Sequence, residues 1–159
     1  MSPQEYTALI SKYTEAYQQL KDAVAGITDK DRLTKPAPGK WCIQEIICHL
    51  MDSEIMWVGR MKRIIAEDNP FLPSYDQEKF AANLHYIALD SKSAVVTFGM
   101  LRETTGAVLA MMPDEQWGRK GKHEERGEIT LEECLKTMVT HGEAHIGQIL
   151  GIRRTLTQK

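Results

Sequence analysis

The stretch WCIQEIICHLMDSEIMWVGRMKRIIA, residues 41–66, sets Ile43, Ile46, Ile47, Leu50, Trp57, Met61 and the pair Ile64/Ile65 at helical intervals. An α-helix turns about 100° per residue, so side chains at this spacing fall on one face. The spacing predicts a long amphipathic helix from Trp41 to about Ala66. Before it, DKDRLTKPAPGK (29–40) has two prolines and a glycine and reads as loop. Further back, Ser2-Pro3-Gln4-Glu5 offers a serine cap, a first-turn proline and a glutamate that reaches back, opening a helix to about Ala25. After it, EDNPFLPS (67–74) breaks the pattern, and Ser74-Tyr75-Asp76-Gln77 reads as a capping box for a short helix through about Asn83.

A third long helix is expected from just after Asp90 to Met112, before Pro113. The next segment, PDEQWGRKGKHEERGE (113–128), is too polar and glycine-rich for core. Thr130-Leu131-Glu132-Glu133 forms another capping box, and a fourth long helix follows to about Thr155. Strand signals are nearly absent. The expected fold is therefore all-α, a four-helix bundle. The second and third long helices are separated by about 24 residues, more than a tight hairpin needs. A connection that long can cross the bundle and leave those two helices parallel.

The chain has 159 residues, 42% hydrophobic and 26% charged, with net charge −2, an ordinary balance for one domain with a sizeable core. A nucleic-acid binder would show a basic face, and none is evident. The first residues, MSPQEYTALI, lack a signal peptide's basic start and apolar run, and no stretch has the roughly 18 apolar residues of a membrane span. Cys42, Cys48 and Cys134 are odd in number and lack CxxC spacing, so they read as small buried hydrophobes in a reducing compartment. The expectation is a soluble cytoplasmic protein.

Late in the chain, HGEAHIGQIL (141–150) puts two histidines four apart. His141 and His145 differ by about 40° around the fourth long helix, with Cys134, Met138, Gln148 and Ile152 within about 60° of His141. On the second long helix, His49 lies about 60° from Ile46, on a polar stripe with Glu45, Ser53, Met56 and Arg60. Three neutral imidazoles converging from two helices would make a metal site. Three protein ligands leave positions open, which is the catalytic pattern. An i,i+4 histidine pair by itself is commonplace, and spacing leaves open whether the two helices meet.

Around these residues, Asp52 and Gln148 are the candidates for catalytic roles. Asp52, one turn beyond His49, could orient a ligand or take a proton, although it points about 60° further from the core. Gln148 shares the histidine face and could bond a ligand of the metal, or tie helix ends together. Glu45 is a similar candidate one turn before His49. Glu143 reads as surface, and His85 and His123 as exposed residues of connecting segments. Arg60 could meet an anionic substrate or pair within the bundle. Gly142 and Gly147 each cost a helix about 1 kcal/mol relative to alanine and could serve close helix approach. Met100, Met111, Met112 and Trp57 read as core or dimer surface. Cys48 projects about 100° from His49 and is not placed to assist.

With these residues in view, the chain resembles the DinB/YfiT-like superfamily. WCIQEIICHLMDSE (41–54) is similar to its signature of a tryptophan and a helix leading to His-Leu-x-Asp/Glu, and HGEAHIGQI (141–149) to its His-x-x-x-His-x-Gly-Gln signature. The resemblance implies up-down-down-up topology with a long crossover between helices two and three. It implies a divalent metal, zinc or nickel first and iron next, on His49, His141 and His145. It also implies a homodimer, a small-molecule substrate and, by analogy with thiol-dependent relatives, activation of a low-molecular-weight thiol or water in an S-transferase or hydrolase reaction. The competing expectation is a non-catalytic metal-binding stress-response or sensor protein, whose site would be closed where an enzyme's is open. No phosphate loop or nucleophile elbow suggests another cofactor.

Overall fold

A computed structural model describes residues 1–157. Four long helices form a bundle: α1 (Pro3–Val24), α3 (Ile43–Ala66), α5 (Ser91–Leu109) and α6 (Leu131–Thr157), with short helices α2 (Asp29–Leu33) and α4 (Gln77–Asn83) between them. Their starts are written in side-chain chemistry. Ser2 Oγ accepts from Glu5 N at 3.3 Å while Glu5 accepts from Ser2 N at 2.6 Å. Thr130 and Glu133 repeat this exchange ahead of α6, at 3.2 and 2.8 Å. α3 starts two residues later than expected, because the Glu45 carboxylate accepts from Cys42 N at 2.9 Å and makes Cys42 the cap.

Four local expectations need correction. The segment read wholly as loop begins with α2, which Thr28 caps by accepting from Asp31 N, and its prolines lie downstream. α4 is capped by Asp76 rather than Ser74, whose N–H and hydroxyl instead donate to Glu124. α5 stops at Leu109, since Pro113 disfavours helical backbone before it and the last turn tightens through Met111 N→Val108 O and Met112 N→Leu109 O. The fourth is a three-stranded sheet: β1 (Phe71–Leu72) pairs parallel with β2 (Lys120–His123), which pairs antiparallel with β3 (Gly127–Thr130). Gly127 takes φ +74° at the hairpin, and a Cβ at Gly121 would stand 2.9 Å from both Leu72 and Pro70 O, so glycine lets β1 approach β2.

Contacts fix the direction of each long helix. Tyr6 donates to Glu132 near the starts of α1 and α6, and Arg153 reaches Asp22 O, Ala23 O and Ala25 O near their ends, so this pair is parallel. Gly99 abuts Tyr17 and Gly106 abuts Thr14, so α1 and α5 are antiparallel. Between α3 and α5, Gln44 donates to Leu89 O and Glu54 meets Arg102, a parallel pair. The order up-down-down-up follows. The crossover from α3 returns along the bundle through β1, α4 and a 3₁₀ turn at Tyr86–Ala88, delivering α5 beside the start of α3.

The core divides into two apolar clusters. One, toward the sheet, contains Tyr13, Trp57, Met61, Leu135 and Met138; the other contains Leu20, Ile46, Ile47, Phe98 and Ile149. At their junction lies a fully buried ion pair, Arg102 Nε to Glu54 Oε2 at 2.7 Å. Arg102 also donates to Tyr13 O at 3.0 Å and Met138 O at 2.8 Å, and the Tyr13 hydroxyl donates to Glu54. Its guanidinium lies 4.5 Å from the ring centroids of both Tyr13 and Phe98. One arginine thus bonds all four long helices.

Candidate metal centre

Antiparallel packing of α3 on α6 brings His49 to the His141/His145 pair. His49 Nε2 lies 3.1 Å from His141 Nε2, and each residue offers a ring nitrogen within 4.8 Å of the others. It is the one such cluster among the described residues. Two imidazole nitrogens held by one ion at about 2.0–2.1 Å would stand at a separation close to this. The rings pack edge to face at centroid distances of 4.5–5.1 Å, and Trp41 lies 4.9 Å from His49.

The electrostatics suit ligands. Burial, reinforced by His145, pushes the His49 imidazole down to about 4. Burial, then His145 and His49, takes His141 down to about 3. Burial lowers His145 too, against the hydrogen bond it donates to Gln148. All three are neutral at pH 7 and able to present lone pairs. His145 Nδ1 lies 3.0 Å from Gln148 Oε1, an acceptor, which puts the proton on Nδ1 and leaves Nε2 free. His49 Nδ1 and His141 Nδ1 are buried without hydrogen-bond partners. With Nε2 of each ring turned toward the other, Nδ1 is the nitrogen left to carry the proton of the neutral imidazole. The residues fit a divalent ion.

The site opens into a cleft of about 280 Å³. Its floor is one stripe of α3: His49, Ser53, Trp57 and Arg60. One wall comes from Ser74, Tyr75 and Gln77 in the crossover, and the other from His123, Glu125 and Arg126 in the β2–β3 hairpin.

The structure distributes the expected site residues unevenly. His49, His141, His145 and Gln148 come together. Asp52 does not join them: its Oδ2 accepts from the Tyr86 hydroxyl at 2.6 Å, anchoring the crossover. Glu45 is a helix cap that also pairs with Lys35 at 3.2 Å. Glu143 and His85 are exposed. His123, expected to be exposed, is 4% exposed and stacks 5.9 Å from Trp57, because β2 turns it inward. Arg60 is buried and donates to Pro73 O rather than to a carboxylate. Cys48 is buried beside Gln44 and the Tyr86 carbonyl, with its thiol pushed up to about 12 mainly by burial, so it is no nucleophile. Met100 and Met111 are exposed and Trp57 is core. Glu54, Tyr13 and Arg102 were missed. Nothing in the spacing marks Arg102, though Glu54 on an apolar helix face was a signal of a buried partner.

Comparison with known proteins agrees with this geometry. Residues 12–149 match the DinB superfamily. The chain is 27% identical over 157 residues to YfiT of Bacillus subtilis, named as a proposed metal-dependent hydrolase, covering 98% of this chain and 88% of that one. It is 26% identical over 149 residues to a proposed metal-dependent hydrolase of Oceanobacillus iheyensis, covering 91% and 82%. The solved structure of Bacillus subtilis YfiT, described as a four-helix bundle of unusual topology, superposes with a TM-score of 0.93 at 26% identity, over 99% of this chain and 90% of that one. Among the described residues, no helix is long and apolar enough to cross a membrane.

Proposed function

This chain belongs to the DinB superfamily, and from that premise we propose that it is a metal-dependent enzyme acting on a small electrophilic substrate, with a divalent ion held by His49, His141 and His145. When bound, the ion supplies Lewis-acid charge that makes the proton of a water or low-molecular-weight thiol acidic near neutral pH. The observation that carries the reading is three neutral imidazoles, two of them lining an open cleft, with no fourth His, Cys, Asp or Glu ligand grouped with them among the described residues. The chain's own residues do the positioning. Gln148 fixes the tautomer of His145, and Trp41 packs against His49, limiting its ring motion. Ser53 and Trp57 line the path by which substrate reaches the histidines.

Metal content per chain, measured by mass spectrometry, tests this first. Near-stoichiometric zinc, nickel or iron in wild type, lost in His141→Ala, is the expected result. Failure to retain any of the three after refilling would remove the enzyme reading. Turnover that requires added thiol then assigns an S-transferase, and turnover without thiol a hydrolase.

A further inference from the structure

At the end of the cleft away from the histidines, two guanidinium groups gather around one indole. Arg60 lies 4.7 Å and Arg126 5.1 Å from the Trp57 ring. Neither has a carboxylate within ion-pair distance among the described residues, whereas seven other Arg or Lys side chains on the surface do. Arg60 is 4% exposed, and among the described residues its one hydrogen-bond acceptor is Pro73 O, reached by Nε at 3.2 Å and Nη2 at 2.5 Å. Nη1 has no protein partner among the described residues. Arg126 is exposed on the hairpin. Buried arginine ordinarily has an anionic partner, and two like charges drawn together in a half-enclosed cleft repel. The field is felt locally: burial lowers His123, and Arg60 and Arg126 lower it further. Glu125, also exposed in the cleft, offsets one of the two positive charges.

His49 and Arg60 are eleven residues apart on one face of α3, so about three turns and 16 Å of helix separate them. We propose that the cleft takes an elongated substrate whose far end is an anionic group, carboxylate or phosphate, held by Arg60 and Arg126 over Trp57 while its near end reacts at the histidines. The assignment of the reacting end rests on the metal-centre reading; the anion subsite does not. The planar guanidinium fork suits both oxyanions, and the indole supports the apolar stem of such a molecule.

Titration of the full-length protein with inorganic phosphate, glutarate and neutral glutaramide, following indole N–H resonances by NMR, tests the subsite. Saturable shifts of the Trp57 resonance with phosphate or glutarate, and none with glutaramide, are expected. Phosphate binding alone marks a phosphate tail, and glutarate alone a carboxylate. Arg126→Gln, an exposed change that leaves the core intact, should weaken binding by about tenfold or more, as loss of a charge-assisted hydrogen bond predicts. Arg60→Gln should do the same, if its thermal unfolding remains cooperative. His141→Ala should leave anion affinity within about threefold, a result that holds even if the chain carries no metal. Equal binding of glutaramide, absence of saturation, or unchanged affinity in Arg126→Gln would overturn the proposal.

Discussion

Gln148 is the residue through which the proposed metal centre would be tuned. Because its carbonyl oxygen holds the His145 proton on Nδ1, Gln148→Ala should weaken metal affinity by roughly 10–100-fold without removing a ligand, as measured by chelator competition. Glu54 tests the other polar device. The Tyr13 hydroxyl is kept protonated by burial and by the Glu54 charge, so the pair acts as donor and acceptor around Arg102. Truncation to alanine leaves a buried guanidinium with no counter-charge. Urea unfolding of Glu54→Ala should show a loss of about 3–5 kcal/mol, whereas an exposed carboxylate such as Glu143 should cost less than about 0.5 kcal/mol on truncation.

Among the elements, α6 carries the sharpest contrast, between two glycines five residues apart. A Cβ at Gly142 would sit 3.1 Å from the Arg102 guanidinium, while nothing lies within 4 Å of one at Gly147. Gly147→Ala should therefore stabilise by about 0.4–1 kcal/mol, and Gly142→Ala should destabilise despite its better helix propensity, both read from urea midpoints. The long helices were legible because their apolar residues recur at intervals of three and four and their caps are encoded by Ser2, Asp90 and Thr130. The histidine triad was legible in part: spacing paired His141 with His145 and the resemblance pointed to His49, but only the packing of α3 on α6 shows the three rings meeting. The sheet was illegible for a physical reason. β2 alternates buried and exposed positions, yet it fills the buried ones with Gly121 and His123, so a period of two left no hydrophobic trace. With the hairpin unread, one wall of the cleft and Arg126 stayed out of view. The α4 cap went to Asp76 because Ser74 was engaged by Glu124, a partner 50 residues away that no local window contains.

At the scale of the whole molecule, the buried imidazoles make stability depend on pH. The unfolded chain protonates its histidines near pH 6.5, whereas folded His49 and His141 resist until about 4 and about 3. Between those limits the unfolded state binds more protons, so stability falls as pH drops through this window and is fully present above it. His123, also lowered by burial, adds in the same sense. Thermal melts of metal-free protein should show Tm falling from pH 7 to pH 4, with a shallower slope once His49 and His141 are replaced by glutamine. Saturating divalent metal should raise Tm at pH 7, and the rise should vanish at pH 4 as protons compete for the same nitrogens. The crossover between α3 and α5 has a further consequence, for the order of events at the ribosome. Neighbouring helices along the chain are not all neighbours in space, because α1 finds its parallel partner in α6, made after the other three long helices. The bundle cannot assemble as successive helical hairpins, and a nascent chain ending before residue 131 holds one ligand of three. On the proposed reading, metal loading would await synthesis of α6, and a chain stalled before it should emerge empty.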